Sequence, residues 1–308
     1  MQREDLYFDS RDNISKIHAV RWTPDTDKPV AILQIIHGMA EHVDRYEDFA
    51  KFLTDKGFVV TADDHLGHGK SLTEVGPGYF CKQDPATVVV RDVHRLKKLT
   101  EEKYPGVPYY ILGHSMGSFI VRNYMFRYGK GVKGVIVMGT GMQAKPLVTG
   151  LKVMAAVNCF FGGSKKPSKF INNMAFGAYL KRIPNPRTAN DWLTKDEAIV
   201  DKYNADPLCG FTFTGNGFKT LGELISRLYK QSNLEMIPKS LRVLVTSGAE
   251  DPVGDYGEGP KKVYESYKAL GISDLEFKLY DNDRHEILNE TDHETVYADI
   301  YNWIVKAL

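Results

Sequence analysis

The sequence predicts an α/β chain folded around a mostly parallel, doubly wound sheet that carries a helical insertion. Three observations support this. Five runs of strand length, at 31–36, 58–61, 109–112, 132–138 and 241–246, are almost continuously apolar, as strands buried on both faces of a parallel sheet must be. Stretches of helical length and amphipathic pattern separate most of them, at 46–56, 86–104 and 118–128, and this alternation is the signature of crossover-connected strands. One connection breaks the rhythm: about 100 residues separate the runs at 132–138 and 241–246, far beyond an ordinary loop between sheet elements.

Taken in order, residues 6–8 and 16–22 alternate apolar and polar side chains, which marks antiparallel strands with one wet face. The run 31–36 opens the parallel region, followed by helix 46–56, strand 58–61, helix 86–104 and strand 109–112. Helix 118–128 shows an apolar side built from Phe119, Ile120, Tyr124 and Phe126. After strand 132–138 come four helical stretches, 147–161, 171–180, 194–203 and 218–231, separated by Gly- and Pro-rich segments. They predict a helical cap over residues 141–235, with residues 1–140 and 236–308 forming the core. Strand 241–246, helix 260–270, strand 275–280 and helix 294–307 complete the chain, with no internal repeat or low-complexity tract.

The 308 residues are 43% hydrophobic and 26% charged, an ordinary globular composition. Lys and Arg number 40 against 39 Asp and Glu, so no global field favours nucleic acid. Cys81, Cys159 and Cys209 are odd in number and widely spaced, which points to free thiols in a reducing compartment. The N-terminal residues lack the apolar core of a secretory signal, and the apolar stretch 147–161 is interrupted by Lys152 and Asn158. A cytoplasmic location is the expectation.

The chemistry is carried by Gly113-His114-Ser115-Met116-Gly117, a G-x-S-x-G pattern between the strand 109–112 and the helix 118–128. That context places Ser115 on a strained strand-to-helix turn near the free N–H groups of a helix N-terminus. A serine nucleophile needs a base, and the base needs an orienting carboxylate, in the chain order serine, acid, histidine for this architecture. Asp251 follows strand 241–246 and His285 follows strand 275–280, so both lie in loops at carboxyl ends of strands, where ligands of such sheets bind. Glu250 and Asp255 are the alternatives for the acid. Two oxyanion donors are also required, and the N–H groups of Met116 and of Met39, in the loop after strand 31–36, are the candidates.

Other patterns fail. Gly67-His-Gly-Lys-Ser71 lacks the first glycine of a phosphate loop, with Asp64 in its place, and Gly139-Thr-Gly-Met is followed by Lys165-Lys166 where a dinucleotide site needs an acid. The nine histidines form no metal-ligand spacing, so no cofactor and no metal is expected. His37, His42, His65 and His68 are assigned to loop hydrogen bonding.

Together these motifs resemble the serine α/β-hydrolases of the monoacylglycerol lipase and lysophospholipase type. His37-Gly-Met-Ala-Glu-His-Val-Asp-Arg-Tyr46 is similar to that family's H-G-x-x-E-H-x-x-R-Y, Asp64 to Ser71 to its D-x-x-G-H-G-x-S, and Arg284 to Glu290 to a bacterial R-H-E-x-x-N-E. The resemblance implies an α/β-hydrolase fold, Ser115 as nucleophile, Asp251 as acid, His285 as base, and Met39 and Met116 as oxyanion donors. It also implies that Glu41 and Arg45 lie near the polar head of the substrate. Leu288 stands where those lipases often carry a second histidine, which puts a glycerol-ester preference in question.

The expected function is a cofactor-free serine carboxylester hydrolase acting on a small-molecule or lipid-like ester such as a monoacylglycerol or lysophospholipid. The alternatives are a prolyl-type aminopeptidase, a non-lipid short-chain esterase, and, more remotely, a non-catalytic ligand-binding protein. The apolar positions of 147–161 form either an acyl channel or the cap's own core. Residues 141–235 carry 13 Lys and Arg against 7 Asp and Glu, a basic excess suited to transient membrane contact or to a solvated face. The oligomeric state has no signature in the sequence.

Overall fold

The computed structural model describes residues 1–308. Eight strands form one sheet: β1 (Gln2–Asp9), β2 (Lys16–Thr23), β3 (Ile32–Ile36), β4 (Val59–Asp63), β5 (Tyr109–His114), β6 (Gly134–Met138), β7 (Arg242–Gly248) and β8 (Leu275–Tyr280). Their spatial order is β1-β2-β4-β3-β5-β6-β7-β8. The β1–β2 and β2–β4 pairs are antiparallel and all others parallel. Strands β3 to β7 are buried along their whole length, which is why they read as continuous apolar runs.

The helices of the core are α1 (Glu47–Thr54), α2 (Pro85–Lys103), α3 (Met116–Tyr128), α9 (Glu258–Ala269) and α10 (His293–Val305). Phe49 and Leu53 of α1 and Ile300 and Trp303 of α10 pack on one face of the sheet with Trp22 and Leu33. Val89 and Val93 of α2, Ile120 and Tyr124 of α3 and Val263 of α9 pack on the other with Ile111 and Val135. The sheet is therefore covered on both sides, an α/β-hydrolase arrangement.

Between β6 and β7 lie α4 (Lys145–Phe160), α5 (Lys169–Phe176), α6 (Glu197–Ala205), α7 (Gly215–Arg227) and α8 (Gln231–Glu235). Helix α7 begins three residues before the expected 218 because Thr214 caps it, its hydroxyl accepting from Gly217 N–H. The glycines that suggested a loop sit inside its first turn, where a Cβ on Gly217 would stand 2.3 Å from the Gly78 carbonyl oxygen and one on Gly215 would stand 2.8 Å from that of Gly163. The apolar stripe of α4 divides: Val148 and Ala155 are buried, whereas Leu147, Val153, Val157 and Phe160 face outward with Phe161 just beyond. Neither an internal channel nor a closed core accounts for that outer face. No helix is long and apolar enough to cross a membrane.

Register explains how distant loops come together. Ile36 pairs with Gly113, His114 with Met138, Met138 with Thr246, and Gly248 with Tyr280. The carboxyl ends of β3, β5, β6, β7 and β8 therefore open along one rim of the sheet, where the loops after them are neighbours.

Candidate active site

Ser115 occupies the corner between β5 and α3 with φ 55° and ψ −119°. A non-glycine residue held there costs about 1–3 kcal/mol, so its surroundings must enforce the conformation. They do so by close approach. A Cβ on Gly117 would stand 2.0 Å from the Ile36 carbonyl oxygen, and one on Gly113 would stand 2.3 Å from that of Gly117. Ser115 N–H donates to Met138 O at 3.0 Å, and Ser118 Oγ–H donates to Ser115 O at 2.5 Å. Ser115 itself is only half-buried, so the corner presents its side chain to the space above the rim.

His285 and Asp251 arrive from the ends of β8 and β7. His285 Nδ1–H donates to Asp251 Oδ2 at 3.0 Å, and Asp251 is fully buried. The same carboxylate accepts from Ser247 Oγ–H at 3.1 Å and from Val253 N–H at 2.8 Å. The carboxylate fixes the hydrogen of His285 on Nδ1 and leaves Nε2 bare. Of the alternatives, Glu250 pairs with Lys195 at 2.8 Å on the surface. Asp255 lies in the turn before α9 at φ 49°, and neither touches His285.

The insertion braces the loop that carries His285. Glu286 N–H donates to Leu193 O at 2.7 Å, and the Arg284 guanidinium donates to Asp191 O at 2.6 Å and Thr194 O at 3.1 Å. The Trp192 ring lies 5.1 Å from that of His285, with Tyr179 edge-on to it at 5.0 Å.

The loop after β3 approaches from the other side: a Cβ on Gly38 would lie 3.1 Å from Ser115 Cβ. Met39 is half-buried in that loop and Met116 is buried at the first position of α3. An N–H at the first position of a helix has no partner within the helix. His37 shapes the loop by donating from Nδ1 to Gly38 O at 2.7 Å and accepting His65 N–H at Nε2, 3.0 Å away. Burial holds His37 well below the usual histidine range, consistent with a neutral ring making both contacts.

Glu41 lies beneath the loop, buried, accepting from Gly38 N–H at 2.5 Å, Tyr46 Oη–H at 3.0 Å and Arg45 at 2.9 Å. Arg45 also makes a two-pronged pair with Glu286, 2.6 Å on each arm. The buried pairing with Glu286 and Glu41 holds the Arg45 guanidinium charged against the burial that opposes it. Both residues expected near a substrate head group are thus engaged with one another and with Glu286. Metal-ligating types meet at His42, Asp206 and Cys209. There His42 Nε2 is already hydrogen-bonded to Asp206 at 2.8 Å, and the neighbouring Arg45 charge disfavours a cation.

Comparison with known proteins follows the same outline. The family model of serine aminopeptidases, S33, matches residues 27–292. The chain belongs to this family. As a member it is a hydrolase with the α/β-hydrolase fold. The monoacylglycerol lipase of Mycolicibacterium smegmatis is 28% identical over 290 residues, covering 93% of this chain and 92% of that protein. The human monoglyceride lipase is 28% identical, covering 92% and 84%. The crystal structure of a thermostable carboxyl esterase from Bacillus coagulans in complex with glycerol superposes with a TM-score of 0.91 and 31% identity, covering 100% of this chain and 99% of that one.

Within this S33 member, three residues of the site had no role assigned from the sequence. His114 stands inside the Gly113–Gly117 pattern, which matches the family's G-H-S-M-G, and Glu286 inside the Arg284–Glu290 one; each lies beside a candidate catalytic residue, and that adjacency was the available signal. Trp192 had none, because no motif covers the insertion.

Proposed function

We propose that this protein is a carboxylester hydrolase that works through an acyl-enzyme on monoacylglycerol-like lipid esters. Ser115 attacks the ester carbonyl while His285 Nε2 takes its proton and Asp251 stabilises the imidazolium that forms. The N–H groups of Met39 and Met116 hold the tetrahedral oxyanion. His285 then returns the proton to the leaving alcohol, and water repeats the cycle on the acyl-enzyme. The observation that carries the reading is the strained Ser115 corner standing at the same rim as the buried His285–Asp251 pair. The lipase and esterase names of the relatives support the ester as substrate class.

The family's peptidase description makes an aminopeptidase the natural rival. That reaction needs a carboxylate free to hold the substrate's α-ammonium. Glu41, Glu286 and Asp251 are each saturated by internal donors, and Glu250 and Asp206 are paired with Lys195 and His42, which favours an uncharged acyl group.

Residues 141–235 act in this reading as the cap. It exposes Phe160 at 84% and Phe161 at 80%, and also Leu147, Val157 and Phe170. Exposed apolar side chains in a segment that also exposes Lys165, Lys166 and Lys169 suit transient docking on an anionic lipid surface. The three free thiols suit a reducing, cytoplasmic setting.

The test is Ser115→Ala, assayed with monoacylglycerols, p-nitrophenyl esters of rising chain length, and prolyl amides. Ester cleavage should fall by at least about 10³-fold in the variant, and the parent should prefer esters. Near-parent ester hydrolysis by the variant would remove the assignment, and amide preference in the parent would favour the rival.

A further inference from the structure

The Ser115 corner, the loop after β3 and the loop carrying His285 meet at one side chain, His114. Its Nε2 lies 3.2 Å from the His285 backbone carbonyl oxygen, and its Nδ1 lies 3.1 Å from Tyr46 Oη and 3.3 Å from Glu41 Oε1. A carbonyl oxygen only accepts, so Nε2 carries a hydrogen. Tyr46 Oη is itself placed to donate to Glu41 Oε1 at 3.0 Å. With the hydroxyl hydrogen directed there, both oxygens present lone pairs to Nδ1, which then needs a hydrogen as well. A ring with hydrogens on both nitrogens is an imidazolium.

The rival state is a neutral ring, protonated on Nε2, whose Nδ1 accepts the Tyr46 hydrogen. It takes the Tyr46 hydrogen from Glu41 Oε1 and sets a nitrogen lone pair 3.3 Å from that buried carboxylate. It also leaves two buried carboxylates, Glu41 and Glu286, balanced by the single guanidinium of Arg45. With His114 charged the buried cluster is neutral, and uncompensated buried charge is the costlier arrangement. Burial opposes the charged ring, but the hydrogen bond and charge of Glu41, with Glu286 behind it, outweigh burial and hold the proton above the usual histidine range. The other groups facing the ring are Tyr46, which burial keeps neutral, and the His285 ring at 4.7 Å.

We propose that His114 is a positioning residue: a buried imidazolium that ties the oxyanion loop to the base loop. The inference rests on the reading of Ser115 and His285 given above. The tie runs from Gly38 N–H through Glu41 and His114 to the His285 carbonyl. Losing the proton leaves Nδ1 facing Glu41 without a hydrogen and breaks the tie at the oxyanion-loop end, while Nε2–H stays on the His285 carbonyl. Activity therefore falls on the alkaline side for a reason separate from the base, which must be neutral to accept a proton.

Two measurements on the full chain test this. Nitrogen-15 NMR of histidine-labelled protein at pH 7 should show both ring nitrogens of His114 protonated. The pH dependence of p-nitrophenyl butyrate hydrolysis should show an alkaline fall in the parent. That fall should move to lower pH in Glu41→Gln, which weakens the hold on the proton. It should be absent in His114→Gln, whose kcat should drop about 10- to 100-fold with KM little changed. A bare Nδ1 at pH 7, or an alkaline fall unmoved in both variants, would overturn the proposal. If His114→Gln does not fold, the NMR result and Glu41→Gln decide it. Failure of the underlying site reading looks different: Ser115→Ala would keep its activity and a fluorophosphonate would not label Ser115.

Discussion

Replacing Asp251 by asparagine tests the site most sharply, because the structure dictates how the amide must sit. Asp251 Oδ1 accepts Val253 N–H at 2.8 Å, and Oδ2 accepts His285 Nδ1–H at 3.0 Å. In Asp251→Asn the amide oxygen is required at the Val253 position, since an amide nitrogen there would face another donor. The NH₂ group therefore turns toward His285 and donates to Nδ1. That forces the ring hydrogen onto Nε2, the nitrogen that must be bare to take the Ser115 proton. The shape is preserved and the tautomer is wrong, so kcat should fall about 10³- to 10⁴-fold, or roughly 4–5.5 kcal/mol of transition-state stabilisation. Initial rates with p-nitrophenyl butyrate give the number, and a thermal melt shows whether the fold is kept. Glu250→Gln is the control: its exposed pair with Lys195 is worth at most about 1 kcal/mol of stability, and its activity should stay near the parent's. A folded Asp251→Asn variant retaining more than a tenth of parent kcat would refute the reasoning.

Asp92 of α2 is buried against the β1–β2 turn, where it accepts from Ser10 Oγ–H at 2.7 Å and Arg11 N–H at 2.6 Å, and burial pushes its carboxyl up to about 7. Between about pH 4 and pH 7 the folded chain keeps a proton that the unfolded chain has released, so stability declines as pH rises through that window. Asp92→Asn should therefore gain about 3 kcal/mol more at pH 8 than at pH 5 in urea unfolding, and an equal gain at both would contradict it. Gly117→Ala pushes a methyl against the Ile36 carbonyl, which belongs to a central strand and cannot retreat. A loss of about 3 kcal/mol or more is expected, and a melting temperature matching the parent's would show that the corner is not so tightly enforced. Replacing Phe160 and Phe161 together by serine should reduce co-sedimentation with anionic vesicles by at least about 10-fold while soluble-ester turnover stays near parent. Unchanged vesicle binding would discard the docking face.

Fold class was readable in the sequence because burial on both faces leaves a local trace. Each central strand is a short apolar run, and Gly113 and Gly117 mark the corner by their missing Cβ. Helix ends were less readable: Gly215 and Gly217 look like loop residues until Thr214 is seen capping α7 and the Gly163 and Gly78 carbonyls are seen close against them. The apolar residues of α4 looked alike in sequence, yet Val148 is buried and Phe160 exposed, because which side of a helix is covered depends on what lies beside it.

The sequence by itself determined the sheet, the serine corner and the residues Asp251 and His285, since strand ends and turn chemistry are set by neighbours in the chain. Only the tertiary structure decided what those residues face. The parallel register aligns five strand ends on one rim, and this sets His285 against Asp251 rather than Glu250. It also gathers Glu41, Arg45, His114 and Glu286 into one buried charge cluster. Charge balance among groups as many as 245 positions apart in the chain has no local signature, because it arises only when folding removes the water between them.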